Sequence, residues 1–224
     1  SQHNKGRSLS HPVMTTGARH TAPAWIAIMP AIFVVLWSTG FVGAKYGLPY
    51  AEPFTFLLWR FVIVALLLLV AALVLHAPWP ATRAEFGHIA VAGVLVHAGY
   101  LGGVFSAIHQ DVSAGEVALI AGLQPVLTAA VAGPVLGERV SARQWAGFVL
   151  GFVGVVLVVS NRLAPGGAGT VGYLAAFLAL AGITAGTLYQ KRFCSHMDLR
   201  SGAVIQFSAS AVLMAVLALL TESM

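Results

Sequence analysis

The sequence predicts an all-α membrane protein, because its composition, its segment lengths and its segment polarity all favour that class. Of the 224 residues, 58% are hydrophobic and only 8% are charged, whereas a soluble domain carries about 25% charged residues. The apolar stretches approach the roughly 20 residues that a helix needs to cross a bilayer. They also lack the polar–apolar alternation of strands in a membrane β-barrel. These observations argue against a soluble domain and favour a bundle of spanning helices.

Seven stretches of the chain are long and apolar enough to be predicted as spans, with short breaks rich in Pro, Gly and charge between them. The preceding residues, 1–22, are polar and aperiodic, and we expect a disordered cytoplasmic tail in which Met14 is an alternative native start. The predicted spans are Trp25–Ala44, Phe54–Leu75, Phe86–Ile108, Val112–Leu136, Gln144–Ser160, Val171–Tyr189 and Gly202–Leu220.

The distribution of Lys and Arg predicts the orientation of these spans. With a cytoplasmic N-terminus, nine Lys and Arg residues fall on the cytoplasmic side, and only Lys45 and Arg162 fall on the other. Cytoplasmic loops of membrane proteins carry such an excess, so we expect a multi-pass protein of the bacterial inner membrane. The net charge of +5 is thereby explained without a nucleic-acid partner. The nine cytoplasmic residues are Lys5, Arg7, Arg19, Arg83, Arg139, Arg143, Lys191, Arg192 and Arg200.

An internal repeat emerges when the chain is shifted by 146 residues. Lys45 then falls on Lys191, Phe61 on Phe207, and Arg60 on the polar Gln206. The same offset pairs Gly40 with Gly186, Ala65 with Ala211, Leu67 with Leu213 and Val70 with Val216. It relates span one to span six, an odd number of spans later, so the two copies must cross the membrane in opposite directions. Inverted repeats of this kind are typical of secondary transporters that work by alternating access.

Several motifs resemble those of EamA-like transporters of the drug/metabolite transporter superfamily, from Trp25 to the end of the chain. They are Leu123–Thr128, Leu136–Arg139, Gln144–Gly147 and Gly151–Val155, together with Leu36–Phe41 and Trp59-Arg60-Phe61. The resemblance implies ten helices in two inverted five-helix repeats, and export of amino acids or other metabolites. Residues 23–161 would be the first repeat and 169–224 helices six and seven of the second. We therefore expect that the chain lacks helices eight to ten.

Polar and aromatic residues inside the predicted spans are candidates for contact with a small-molecule substrate, because polar groups are costly in a bilayer. Arg60 is a candidate counter-charge for a carboxylate, although its long stem could instead reach the headgroups. Gln124 precedes Pro125, which frees a helical carbonyl near Ala121. The full set of candidates is Trp37, Ser38, Thr39, Phe41, Trp59, Arg60, His97, Tyr100, Gln124, Thr187 and Gln206.

Two further motifs allow both a functional and a structural interpretation. Glu116 is a candidate proton-coupling carboxylate, but the spacing Ser113-Ala-Gly-Glu116 also predicts a capping box at the start of the fourth span. Gly147 and Gly151 have the spacing that favours close helix packing.

A passive channel or a structural membrane subunit remains an alternative to a transporter, and a membrane enzyme is less favoured. His76, His88, His97 and His109 lack the spacing of a ligand pair, and Cys194 is the one cysteine. We expect no cofactor, no metal and no enzymatic activity. Substrate identity, coupling ion and the choice between a monomer and a weak dimer stay open.

Overall fold

The computed structural model describes residues 24–136, 141–160 and 169–222, and within them the chain is helical without strands. The predicted tail and the Gly-Glu-Arg motif at 137–139 lie outside the described residues. The elements are α1 (Ala24–Gly47), α2 (Pro53–Val74), α3 (Arg83–Gly93), a π-helical segment (Val94–Gly99), α4 (Tyr100–His109), α5 (Ala114–Ala121), α6 (Gln124–Leu136), α7 (Ala142–Ser160), α8 (Thr170–Phe193) and α9 (Leu199–Thr221).

Five helical stretches are long and apolar enough to cross a membrane among the described residues. They are Pro53–Val74, Arg83–His109, Ala114–Gly133, Thr170–Phe193 and Leu199–Thr221. Two shorter apolar helices, Ala31–Gly47 and Ala142–Val158, correspond to the first and fifth predicted spans. The prediction of an all-α membrane protein is confirmed.

The helices begin where side chains can satisfy the first backbone N–H groups. Thr82 and Glu85 form a capping box at α3, and Ser113 and Glu116 form one at α5. Asp198 caps α9 by accepting from the N–H groups of Arg200 and Ser201. Each such cap stabilises a helix end by about 1 kcal/mol.

The fourth predicted span is broken rather than continuous. Helix α5 ends at Ala121 and α6 starts at Gln124, so Pro125 lies in the first turn of a new helix. Proline is tolerated there because the N–H that it lacks would have no helical partner. The sequence predicted one continuous span with a freed carbonyl near Ala121, and the structure instead ends one helix there and begins another.

By its internal contacts the chain divides after Leu36. The first unit contains, among the described residues, the N-terminal part of α1, whose large apolar side chains are exposed. The second unit, Trp37–Met224, holds the main hydrophobic core. Its outer helix faces also expose large apolar residues such as Leu67 and Leu150, as lipid-facing surfaces require.

Helices α2 and α9 pack antiparallel. The first turn of α2 lies at the end of α9, because the Glu222 carboxylate accepts hydrogen bonds from the N–H groups of Phe54 and Thr55 at 2.6 and 2.8 Å. The other ends also meet, because Arg200 at the start of α9 donates to the carbonyl of Leu75. These two helices therefore run in opposite directions.

Repeat-related residues lie in the contact between α2 and α9. The rings of Phe61 and Phe207 are 5.7 Å apart, and Ala65 and Ala211 are both buried. A two-fold axis that relates two helices places matched residues against each other in this manner. The geometry is what an inverted repeat demands of this helix pair, while the assigned repeat boundaries stay a prediction.

Glycines allow α8 to approach the continuous stretch from α3 to α4. A Cβ on Gly186 would lie 2.6 Å from a side-chain carbon of Val96, and one on Gly182 would lie 3.3 Å from the carbonyl carbon of Gly99. Small residues permit such close packing of membrane helices. The predicted packing at Gly147 and Gly151 is only half correct: Gly151 meets Leu123, but a Cβ on Gly147 would have no neighbour within 4 Å among the described residues.

Candidate functional site

Five of the eleven predicted substrate-contact residues converge where α2, the π-helical segment, α4 and α9 meet. We call this group the Arg60 cluster, and its members are Trp37, Arg60, Phe61, His97, Tyr100, Gln206 and Phe207. His97 and Tyr100 lie near the middle of the stretch Arg83–His109, so the cluster lies at the depth of the bilayer interior.

The π-helical segment Val94–Gly99 carries His97. A π turn inserts a residue into the helical ladder and often occurs at functional sites. Just before it, Gly93 touches α9 so closely that a Cβ would lie 2.4 Å from the Cα of Gln206. This contact brings the His97 ring and the Gln206 amide onto the same interface.

Aromatic rings form one wall of the Arg60 cluster. The His97 ring stacks on Phe207 with centroids 4.1 Å apart and planes inclined by 16°. Phe61 lies at 5.7 Å from Phe207 and 6.3 Å from His97. Phe61 is fully buried behind the other two rings, whereas His97 and Phe207 are partly exposed and offer an aromatic surface on which planar or aromatic groups can pack.

Gln206 joins this wall to α8. It is 5% exposed, makes a polar contact with His97, and donates from Nε2 to Oε1 of Gln190 at 3.2 Å. Its repeat mate, Arg60, interacts electrostatically with Tyr100 and His97. The matched positions therefore supply the polar groups of one cluster.

Helix α1 contributes Trp37 to the same cluster. The Tyr100 hydroxyl lies beside Trp37, whose indole N–H can only donate a hydrogen bond. Trp37 packs edge-on against Phe41 at 5.1 Å, which confirms that these two residues share a helix face. Ser38 and Thr39, on the same helix, are exposed.

Gln124 and Thr187 form a second polar contact, between α6 and α8. Gln124 Nε2 lies 3.2 Å from Thr128 Oγ1 and 3.4 Å from Thr187 Oγ1, and Thr187 also donates to the carbonyl of Ile183. The Nε2 group of this amide thus finds its partners within the protein, which favours the packing interpretation of Gln124.

Near this contact an open apolar cavity of about 530 Å³ lies between α6 and α8, which we call the α6–α8 groove. Thr184 belongs to its lining and is 5% exposed, and its hydroxyl has no hydrogen-bond partner among the described residues. The groove is lined by Leu127, Val131, Ala181, Thr184, Ala185, Leu188, Tyr189, Arg192 and Phe193.

Glu116 acts as a helix cap, so the predicted capping box is confirmed. Its carboxylate accepts from the Ser113 N–H at 3.0 Å and the Ser113 hydroxyl at 2.6 Å. Its other oxygen accepts from the Tyr173 hydroxyl at 3.1 Å, which ties α5 to α8. Proton coupling by Glu116 stays a prediction.

Trp59 lies apart from the Arg60 cluster, with 63% of its surface exposed. Phe61 and Phe207 were not among the predicted site residues, although the repeat offset that pairs them was a usable signal. A second cavity of about 310 Å³ lies between the α2–α3 and α8–α9 connections, and burial there raises the pKa of the Cys194 thiol. Among the described residues, no group of three His, Cys, Asp or Glu could hold a metal ion.

The fold and the polar interior define the class: a multi-pass α-helical membrane protein with polar groups held between its helices. Residues 24–160 match the model of the EamA-like transporter family. This match covers more than half of the chain, which therefore belongs to that family of transporters rather than to a family of enzymes.

Curated relatives agree with this assignment. The chain is 27% identical to the "Uncharacterized transporter YvbV" of Bacillus subtilis strain 168, over 88% of this chain and 64% of the relative. It is 24% identical to a "Probable amino-acid metabolite efflux pump" of Escherichia coli K12, over 75% and 54% of the two chains. A Salmonella typhimurium protein of the same name is 26% identical, over 74% and 53%. The chain thus spans between about half and two thirds of these relatives. No solved structure matches it significantly.

Proposed function

We propose that this transporter exports amino acids or related small metabolites by alternating access between two inverted helix repeats. The observation that carries the mechanism is the antiparallel contact of α2 and α9, in which the repeat mates Phe61 and Phe207 meet at 5.7 Å. Two bundles related in this way can expose one central site to each side of the membrane in turn. The names of the Escherichia coli and Salmonella relatives support the substrate class.

We assign the solute site to the Arg60 cluster. Its seven residues combine a charged group, polar groups and aromatic rings at one interface between helices. Arg60 supplies charge, Gln206 and Tyr100 supply hydrogen bonds, and the rings supply apolar surface. Phe41 packs edge-on against the Trp37 ring and so limits its movement. Ser38, Thr39, Trp59, Gln124 and Thr187 remain candidates for the path that leads to this site, and Glu116 remains the candidate for proton coupling.

The test is counterflow in liposomes that contain the protein expressed from its whole reading frame. Vesicles loaded with unlabelled solute should accumulate the labelled solute transiently, because a carrier exchanges solutes one for one. A passive channel would equilibrate the label without accumulating it. The absence of flux for every amino acid and related metabolite, under any gradient, would refute the proposal.

A matched pair of histidine variants locates the site within the same assay. We expect His97→Gln to lower the transport rate about tenfold or more, since it removes a ring from the stacked wall and alters its polar contact. His88→Gln is the control, because His88 lies on the same continuous helix but contacts Tyr189 and Phe193 instead. Equal losses in the two variants would argue against a site at His97.

Glu116→Gln tests coupling without removing the helix cap, because glutamine also serves in a capping box. If Glu116 carries the proton, the variant should lose the dependence of transport on the pH gradient. An unchanged dependence would assign Glu116 a structural role alone.

A further inference from the structure

The carboxylates that the structure describes avoid the interiors of its helices. Each of the six lies in the first turn of a helix, at its end or in a connection. They are Glu52, Glu85, Asp111, Glu116, Asp198 and Glu222. Within residues 24–136, 141–160 and 169–222, no permanent negative charge therefore lies in the middle of a span.

The described Lys and Arg side chains also lie near helix ends, with the exception of Arg60. Among the described residues, the other Lys and Arg lie in a terminal turn of a helix or beside one, whereas Arg60 is the eighth residue of α2 (Pro53–Val74). A charge at this depth is costly unless it is neutralised or hydrated. Arg60 is exposed among the described residues, and a counter-ion on that open side would lower the cost of its charge.

The surroundings of Arg60 show that the counter-ion does not come from the described part of this chain. Tyr100 and His97 are near enough to interact with it electrostatically, and both lie in the middle of their span rather than at a headgroup. Neither residue is an acid comparable to a carboxylate. Beside these two residues the structure describes Trp37, the rings of Phe61 and Phe207 and the amide of Gln206, none of which carries a negative charge.

We propose that the counter-ion is the substrate, and that the Arg60 cluster selects organic anions that carry an apolar or aromatic group and no ammonium. The inference rests on the proposed function and narrows it from amino acids and their metabolites to deaminated acids. The guanidinium pairs with a carboxylate through two parallel hydrogen bonds. The stacked rings of His97 and Phe207, which are both partly exposed, receive the apolar part.

An ammonium group is disfavoured at the same place for two reasons. The described residues offer no carboxylate to pair with it inside a span, and Arg60 repels a second positive charge within the same low-dielectric interior. An amino acid would bring both a carboxylate and an ammonium group into the cluster. Only the carboxylate would gain a favourable contact, with Arg60. Discrimination between an oxo acid and its amino acid therefore follows from the charges of the site.

Three compounds with the same ring test this selectivity: phenylpyruvate, phenylalanine and phenethylamine. In liposomes with the unmodified protein, expressed from its whole reading frame, we expect phenylpyruvate to be taken up at least about tenfold faster than phenylalanine, with no uptake of phenethylamine. Arg60→Gln should remove this preference by lowering phenylpyruvate flux, and Arg60→Lys should retain part of it. Arg83→Gln, which removes a charge at the start of α3, should behave like the unmodified protein.

The outcomes separate the inference from the proposed function. Phenylalanine uptake equal to or faster than that of phenylpyruvate would overturn the inference but leave a transporter. So would a preference for phenylpyruvate that persists in a folded Arg60→Gln variant, since the selectivity would then lie elsewhere. If Arg60→Gln does not fold, the test uses the ratio of phenylpyruvate to phenylalanine uptake. This ratio should be lower in Arg60→Lys than in the unmodified protein, and an equal ratio would overturn the inference. Absence of flux for all three compounds and for amino acids generally would count against the proposed function itself.

Discussion

Helix α8 packs differently on its two sides, and the difference separates a fixed frame from a region with room for change. Towards the π-helical segment, Gly182 and Gly186 bring the backbones into direct contact. Towards α6, the same helix borders a cavity of about 530 Å³ and leaves the Thr184 hydroxyl without a partner among the described residues. Close contacts between backbones resist sliding, because neither side can adjust by a change of rotamer. We infer that α8 moves together with the π-helical segment and α9, whereas its contact with α6 can rearrange.

The largest expected effect comes from Gly93, where the frame is tightest. Gly93→Val should destabilise the protein by about 3 kcal/mol, because its side chain would collide with the backbone of α9. Gly147→Val is the control, since nothing lies within 4 Å of its Cβ position, and it should stay within about 0.5 kcal/mol. Thermal unfolding of the purified proteins in detergent measures both. Similar losses for the two variants would contradict the distinction between a packed and an open side.

A smaller effect of opposite sign is expected on the open side. Thr184→Val removes a buried hydroxyl that lacks a hydrogen bond in this structure, so it should stabilise the protein by about 1 kcal/mol. Thr187→Val is the matched control, because the Thr187 hydroxyl donates to the carbonyl of Ile183 at 2.7 Å. The same unfolding measurement applies. If Thr184→Val is the more destabilising of the two, the Thr184 hydroxyl must have a hydrogen-bond partner in the folded protein. This result would contradict the description of the α6–α8 groove as loosely packed.

The smallest effect concerns the cap of α9, at the edge of the frame. The hydrogen bond from the Arg200 side chain lowers the pKa of Asp198 from 3.8 to about 2. A lowered pKa in the folded state stabilises the protein above pH 3.8, and this contribution disappears as the pH falls through about 2. The unmodified protein should therefore unfold at a slightly higher temperature than Asp198→Asn at neutral pH.

The two unfolding temperatures should converge in strong acid. Unfolding temperatures recorded between about pH 2 and 7 test this, and the difference should be small because asparagine is also a good N-cap residue. A difference that grows as the pH falls would contradict the assigned role of the carboxylate.

The sequence sufficed for the features that depend on local chemistry. Apolar length predicted the spans, and the spacing of Ser113 and Glu116 predicted a cap. Pro125 predicted a disturbed hydrogen bond near Ala121, but not that the helix ends there. The cluster of Arg60, His97 and Gln206 could be predicted only as separate polar residues, because contacts across three helices leave no local pattern. The repeat offset supplied one long-range clue, the pairing of Phe61 with Phe207.

The features that depend on packing partners were missed or only half predicted. Nothing in Val94–Gly99 distinguishes a π-helical segment from an ordinary turn of helix, since its formation depends on the fit against α8 and α9. The Gly147–Gly151 motif was assigned to close packing, yet the closest contacts with a neighbouring backbone fall at Gly93 and Gly103. A glycine spacing shows where helices could approach, whereas the neighbour decides whether they do.

Site-directed labelling of Lys45 and Lys191, the repeat mates at the ends of α1 and α8, tests the inverted repeat most directly. Cys194→Ser removes the one native thiol, and Lys45→Cys or Lys191→Cys is then exposed to a membrane-impermeant maleimide in intact cells and in permeabilised cells. We predict that Cys at position 45 reacts in intact cells and that Cys at position 191 reacts only after permeabilisation. Reaction of both positions from the same side would contradict the inverted arrangement of the two helices.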